Sequence, residues 1–463
     1  MLTNYFRVAR RNLVRHRVYS FINIGGLAVG MAVATLIGLW MHDELTFNTY
    51  HAGYDRIARV IEHQTYQGQK GTTTNAAPAY GEALRLRYGQ YFEHVLMASL
   101  PQRMVINAGD KKLMRTGYYF EPGVTRMLSL RMRRGTSDGL KDPASVLLSA
   151  SVATVLFGSA DPVGKTLQLD NVGTVAVTGV YEDLPQSSSF ADMAFVAPWS
   201  LYLATSPWIK RGDWWQDGFL AFVQVAPGRD VAAVSATIKH LKRDAVGAEG
   251  APLQSELFLF PMSRWHLYAE FRDGVNTGGS ITYVRLFGII GGLVLVLACI
   301  NFMNLATARS GKRAREVGIR KAIGSGRGQL IAQFLGESLL VTFMAFALSL
   351  LLVQGALPAF NDVAGKELGI LWGNPGFWAA GLGFSVLTGL LAGGYPALYL
   401  SSFRPVQVLK GTFRAGGAAI TSRRALVVVQ FSVSIALIVG VILVQRQVQF
   451  AKDRPVGYDR EGL

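Results

Sequence analysis

One cysteine stands in 463 residues, Cys299, and its isolation excludes an internal disulfide framework and any metal site built from several thiolates. The motifs HExxH, CxxC and GxSxG are also missing, so no zinc-hydrolase, dithiol or serine-nucleophile signature is present. Acids are scarce in three particular stretches. None precedes residue 18, none falls in 404–424, and Glu316 stands alone in 309–327. The first stretch carries Arg7, Arg10, Arg11, Arg15 and Arg17. The second carries Arg309, Lys312, Arg313, Arg315, Arg320, Lys321 and Arg327, and the third Arg404, Lys410, Arg414, Arg423 and Arg424. Their combined charge of +16 equals the net charge of the whole chain, while residues 42–285 hold 24 basic against 23 acidic residues. The basicity is local, not general.

Apolar length is plentiful. Half of the residues are hydrophobic, and five stretches are free of charge: Val18 to Met41, Leu286 to Ala308, Ser338 to Asn361, Phe377 to Phe403 and Ala425 to Gln445. Each meets the roughly 20 residues that a helix needs to cross a hydrocarbon core of about 30 Å. The basic stretches and the non-basic ones alternate between these spans, as the positive-inside rule requires. That alternation places the N-terminus in the cytoplasm and residues 42–285 and the C-terminal tail outside. It also removes the main support for nucleic-acid binding, because the charge is explained by topology. The first span is longer than a signal-peptide core and no small-x-small cleavage site precedes His42, Asp43 and Glu44, so a retained anchor is expected.

The expected division is therefore a basic segment 1–17, a span 18–41 and a large mixed α/β domain 42–285. A span 286–308, a cytoplasmic segment 309–337 and a span 338–361 follow. A short outer loop 362–376, a span 377–403, a cytoplasmic loop 404–424, a span 425–445 and an outer tail 446–463 complete the chain. Within the domain, Phe219 to Val225 alternates like a strand, Pro227 and Gly228 turn the chain, and Val231 to Arg243 has helical spacing. Pro78 to Tyr88 reads as a helix with proline in its first turn. Thr166 to Leu169 and Thr174 to Tyr181 read as a hairpin around Asp170, Asn171 and Gly173.

Gly158-Ser-Ala-Asp-Pro-Val-Gly164-Lys165-Thr166 imitates a phosphate-binding loop, but five residues separate its glycines where four are needed. The flanks also run helix-then-strand, the reverse of what presents a helix N-terminus to phosphate. His266, between Trp265 and Tyr268, has no partner at metal-ligand spacing, which favours a structural role. Trp214 and Trp215 fit core packing better than a binding patch. Gly26 with Gly30 and Gly389 with Gly393 form GxxxG pairs, which suit close helix packing or simply reflect the frequency of glycine in membrane helices.

The inner segment Ala308 to Ile323, ARSGKRAREVGIRKAI, groups basic residues around Val317, Ile319 and Ile323. As a helix it is short and amphipathic, suited to the membrane surface or to a cytoplasmic partner. A loop held by anionic lipid, each cation contributing about 1 kcal/mol, accounts for the same residues, and their chemistry alone does not separate the two. Glu337 is expected at the interface beside the third span.

Arg11-Asn-Leu-Val-Arg-His-Arg-Val-Tyr-Ser-Phe-Ile-Asn-Ile-Gly-Gly-Leu-Ala-Val-Gly30 resembles the approach to the first span of MacB/FtsX-type ABC transporter permeases. Arg315-Glu-Val-Gly-Ile-Arg-Lys-Ala-Ile-Gly324, Phe334 to Leu339, and Gly394 to Ser401 with Arg404-Pro405 and Leu409-Lys410-Gly411 resemble later parts of the same family. Phe157-Gly158 with Asp161 to Thr166 is similar to its MacB-like periplasmic core domain. The resemblance covers nearly the whole chain and implies a membrane α-helical fold of about five helices. A large extracytoplasmic mixed α/β domain is inserted between helices 1 and 2.

The resemblance also implies a non-catalytic permease of the bacterial inner membrane, without cofactor, metal or catalytic residues. A cytoplasmic ABC ATPase dimer on a separate chain would drive it, and its helices would pass the motion to periplasmic domains. Arg315, Glu316, Val317, Gly318, Ile319, Arg320 and Lys321 would form the coupling helix. Arg315, Arg320 and Lys321 would meet acidic groups, and Val317 and Ile319 would make apolar contacts. Membrane lipids, a second permease copy or half, and a periplasmic partner complete the implied set, with no nucleic acid. The fifth span and the tail from Phe450 resemble the start of a second half in duplicated members, so a truncated longer protein is one expectation and a short-tailed chain the other. Export of a drug, peptide or lipoprotein leads the functional readings. Regulation of a cell-wall hydrolase and antimicrobial-peptide sensing stay open beside it.

Overall fold

The computed structural model describes residues 17–170, 172–210, 212–248, 254–308, 310–403 and 417–454. Arg7 to Arg15, Asn171, Arg309, Arg404, Lys410, Arg414 and the tail 455–463 lie outside the described residues. The chain divides into two compact units, 42–285 and the remainder.

In the 42–285 unit one sheet contains β1 (Ile57–Tyr66), β2 (Gln69–Thr73), β3 (Phe92–Ser99), β4 (Gln102–Ala108), β5 (Lys111–Phe120) and β6 (Met132–Gly135). It continues through β7 (Ser145–Ser149), β8 (Thr166–Leu169), β9 (Gly173–Tyr181), β10 (Phe195–Pro198), β11 (Phe219–Val225) and β12 (Glu256–Pro261). Strands β5, β4, β8, β9, β7 and β10 pair in a closed ring, with β10 returning to β5 in parallel. Strands β3, β11, β1 and β12 form an open sheet, joined to the ring through the single register pair Ala98–Phe120.

The expected range of β11 is the observed one, but its alternation is not what places it. All seven residues are buried, Gln224 included, because β11 lies between β3 and β1 with both faces covered. The hairpin of β8 and β9 and the helix Ala79–Tyr88, with Pro78 at its N-cap, also form as expected. The helix expected over Val231 to Arg243 is two helices, Val231–Ile238 and Leu241–Val246. The carbonyl of Lys239 accepts a hydrogen bond from the Leu257 amide of β12, which pulls it out of the helical ladder. Gly158 and Gly164 both take positive φ in the turn between helix Ala150–Phe157 and β8. The helix presents its C-terminus there, which repels phosphate.

The other unit is helical. Helix α1 is Arg17–Leu45, α2 Ile281–Ala308, α3 Ser310–Ala322, α4 Arg327–Ala364, α5 Pro375–Ser401 and α6 Gly417–Asp453. All but α3 are long and apolar enough to cross a membrane. The third of these begins at Arg327, ahead of its uncharged stretch at Ser338. Helical hydrogen bonding continues through the polar interface, where side-chain apolarity stops. Both GxxxG faces are used within the chain. A Cβ on Gly30 would lie 2.4 Å from the Cβ of Ala298 on α2, and one on Gly393 2.4 Å from Oγ of Ser338 on α4. The apolar core of the unit joins α1, α2, α4 and α5 through Leu27, Met31, Leu295, Phe346 and Ala392. The apolar stretch of α6 has no buried residue.

Candidate functional site

Helix α3 is amphipathic, and its two faces have separate fates. Ala314 and Val317, three residues apart and therefore on one face, pack on Leu330 and Phe334 of α4 and on Ala397, Leu400 and Phe403. Gly318 is buried with them. Lys321 donates through Nζ to the carbonyls of Ser401 at 2.7 Å and Phe403 at 2.9 Å. Those carbonyls lie at the end of α5, where helix geometry leaves acceptors unmet and the macrodipole favours a cation. Arg320 pairs with Glu316 at 2.7 Å and donates to Gln333, which in turn donates to Glu337 at 3.1 Å. The outward face carries Arg315, Glu316, Ile319 at 45% exposure and Ile323 at 81%.

Of the seven residues expected to form a partner contact, the fold thus places Arg315, Glu316 and Ile319 together on the outside. Val317 and Gly318 face the unit's own core, and Arg320 and Lys321 are half-buried in contacts within the chain. Ile323 adds the most exposed apolar side chain of this face. Two adjacent exposed isoleucines beside an arginine make a small apolar patch with a cationic edge. That is a protein-docking chemistry more than a reactive one.

A second constellation went unnoticed in the sequence. Glu62 on β1 and Lys242 on helix Leu241–Val246 are both buried, at 0% and 1% side-chain exposure, with Lys242 Nζ 3.0 Å from Oε2 of Glu62. Tyr80 donates its hydroxyl to the same oxygen at 2.5 Å and Ser255 donates to Oε1 at 2.5 Å. Asp217 lies 3.9 Å from Lys242, and the Lys242 ammonium sits over the rings of Trp215 and Tyr80. Burial, then the charge of Glu62, pushes the Tyr80 hydroxyl well above its usual value, so it stays a donor. Burial also raises the Asp217 carboxyl, and Lys242 only partly offsets that. The signal was available. Lys242 falls four residues after Ile238, on the apolar stripe of Val234 and Ile238, and Glu62 falls in phase with Ala58 and Val60.

His266 has a structural setting, with Nε2 2.5 Å from Oε2 of Glu44 and its ring stacked on Phe47 at 3.8 Å. Trp214 packs against Tyr80, whereas Trp215 is half exposed. Among the described residues no three His, Cys, Asp or Glu side chains are grouped to hold a metal ion.

Among the described residues five helices are long and apolar enough to cross a membrane, and with an α/β domain inserted between the first two they support an inner-membrane protein with a periplasmic domain. The MacB-like periplasmic core domain family matches residues 20–241, and the FtsX-like permease C-terminal family matches residues 288–405. The chain belongs to the MacB/FtsX-type ABC transporter permeases.

An uncharacterised ABC transporter permease of Bacillus subtilis, YknZ, is 23% identical over 418 residues, covering 88% of this chain and 99% of that one. A macrolide export ATP-binding/permease protein, MacB, of Bdellovibrio bacteriovorus is 26% identical over 269 residues, covering 57% of this chain and 38% of that one. This chain thus spans well under two thirds of that MacB. The crystal structure of the periplasmic region of MacB from Actinobacillus actinomycetemcomitans is 16% identical, with a TM-score of 0.32, over 44% of this chain and 88% of that one.

Proposed function

We propose that this chain is the permease subunit of an ABC transporter that passes the motion of a cytoplasmic ATPase, carried on a separate chain, to its periplasmic domain for export. The observation that carries the reading is the division of α3. Its inner face is built into α4 and α5 through Val317 and Lys321, while Arg315, Ile319 and Ile323 remain outward. A helix held in this way moves with the bundle and offers a surface to a partner, which is what a mechanical coupling element requires. The three basic stretches support a cytoplasmic side for that helix and the N-terminus. The phosphate-loop imitation from Gly158 to Thr166 is a turn after a helix C-terminus, which supports a partner as the carrier of the ATP chemistry.

The test is purification of the full chain from detergent with and without Arg315→Glu. Recovery of an ABC-type ATPase with the wild type, and its loss with the variant, supports the reading. Failure of any ATPase to accompany the wild-type chain removes it.

A further inference from the structure

The face of β1 that packs under the short helix Met262–Trp265 holds a cation without a counter-ion. Ile57, Arg59 and Ile61 alternate onto this face, and both isoleucines are fully buried. Arg59 lies directly opposite Phe222 of β11 and Phe260 of β12 in the two antiparallel registers. Its guanidinium carbon stands 5.5 Å from the centre of the Phe222 ring and 5.0 Å from that of Trp265. Phe190 closes the group, meeting Tyr118, Phe222 and Trp265 edge-on.

Lys242, a buried cation of the same domain, has the Glu62 carboxylate 3.0 Å away. Arg59 has no such partner. Among the described residues no carboxylate lies within ion-pair distance of it, and its guanidinium donates no hydrogen bond. Nε is sealed from solvent with no acceptor, so this half-buried side chain reaches solvent through its Nη groups. Burial lowers the Arg59 pKa, and no acid opposes the shift. Tyr118 is the polar neighbour. Burial, then the charge of the exposed Asp192, pushes its hydroxyl up to about 12, so it is a donor at neutral pH. That hydroxyl also lacks an acceptor among the described residues.

We propose that Arg59 and Tyr118 bind a small organic anion, whose carboxylate or phosphate oxygens accept from the Nη groups and the Tyr118 hydroxyl. A guanidinium is seldom buried unpaired, and its planar fork matches two oxygens of one oxyanion. The anion meets the fork end-on, because Nε is enclosed. The surroundings choose the rest of the ligand. Phe190 and Phe222 offer only ring surface, and the Trp265 indole N–H is already spent on the Phe260 carbonyl at 2.7 Å. The body beside the oxyanion is therefore apolar, and a bare inorganic ion gains nothing from these rings. The site does not depend on how an ATPase docks elsewhere.

The experiment titrates the full chain in lipid nanodiscs by calorimetry with benzoate, phenyl phosphate, inorganic phosphate and benzyl alcohol, using protein-free nanodiscs as the blank. Benzoate or phenyl phosphate is expected to saturate the site about tenfold more tightly than benzyl alcohol or inorganic phosphate. The tighter of the two shows which oxyanion the site takes. Arg59→Met keeps apolar contact with the rings and is expected to weaken binding by about tenfold or more. Tyr118→Phe should cost about threefold or more through the lost donor. Arg59→Lys keeps the charge without the fork, so a loss of similar size marks oxyanion recognition over general attraction. If Arg59→Met fails to fold, Arg59→Lys and Tyr118→Phe decide the matter. No saturation by either aromatic anion, equal binding of benzyl alcohol or inorganic phosphate, or unchanged affinity in these variants would each overturn the assignment.

Discussion

Truncating Ile319 of α3 and Ile323 just beyond its end is the sharpest test of the proposed coupling surface. Complete burial of an isoleucine side chain contributes about 1.5–3 kcal/mol. Ile319 is 45% exposed and Ile323 81%, so a partner that covered both would gain about 2–4 kcal/mol from them. Alanine retains the β-carbon, so the double variant Ile319→Ala/Ile323→Ala is expected to weaken docking by about 10- to 100-fold. The assay is equilibrium binding of the ABC ATPase that accompanies the wild-type chain to the permease in nanodiscs, with ATP turnover followed in parallel. The comparison variant is Val317→Ala. Val317 is 1% exposed against Leu330 and Phe334, so its truncation should lower the melting temperature, by about 1–3 kcal/mol of stability, before it alters affinity. Retention of wild-type affinity by the double isoleucine variant would refute the assignment of this face, whatever the stability of the protein.

Three further outcomes follow from the packing. Lys242→Met leaves the Glu62 carboxylate buried without its cation and is expected to destabilise the periplasmic domain by about 3–5 kcal/mol. Adding Glu62→Gln should restore most of the lost melting temperature, because Tyr80 and Ser255 can still bond the amide. His51 is buried, with Nδ1 on the Leu128 carbonyl and Nε2 on the Ser188 hydroxyl, and burial lowers its pKa despite the carbonyl. A lowered base gives stability that is present above its ordinary pKa and lost as pH falls through the folded value. Melting temperature should therefore drop between pH 7 and pH 5, and His51→Gln should flatten that slope. Gly393→Ala places a methyl on Ser338 and should cost about 1–3 kcal/mol. Gly383→Ala on the same helix meets nothing within 4 Å and should be near neutral in the same thermal assay.

What the sequence determines by itself is what a uniform solvent judges residue by residue. Hydrocarbon tolerates only uncharged helical runs, so Val18 to Met41 and the four later stretches declare themselves without any knowledge of packing. Local chemistry likewise marked Pro78 before its helix and the turn between β8 and β9. Local patterns failed where a distant strand intervened. The helix from Val231 breaks because Leu257 claims a carbonyl, and Phe219 to Val225 is buried throughout because neighbours cover both its faces. The proposed coupling segment shows the same limit. Composition marked 308–323 as basic and amphipathic, but only the positions of α4 and α5 decide that Val317 and Lys321 turn inward while Ile319 and Arg315 turn out. Glu62 and Lys242 stand 180 residues apart. Such features are properties of pairs brought together by the whole chain, and no window of sequence contains both members.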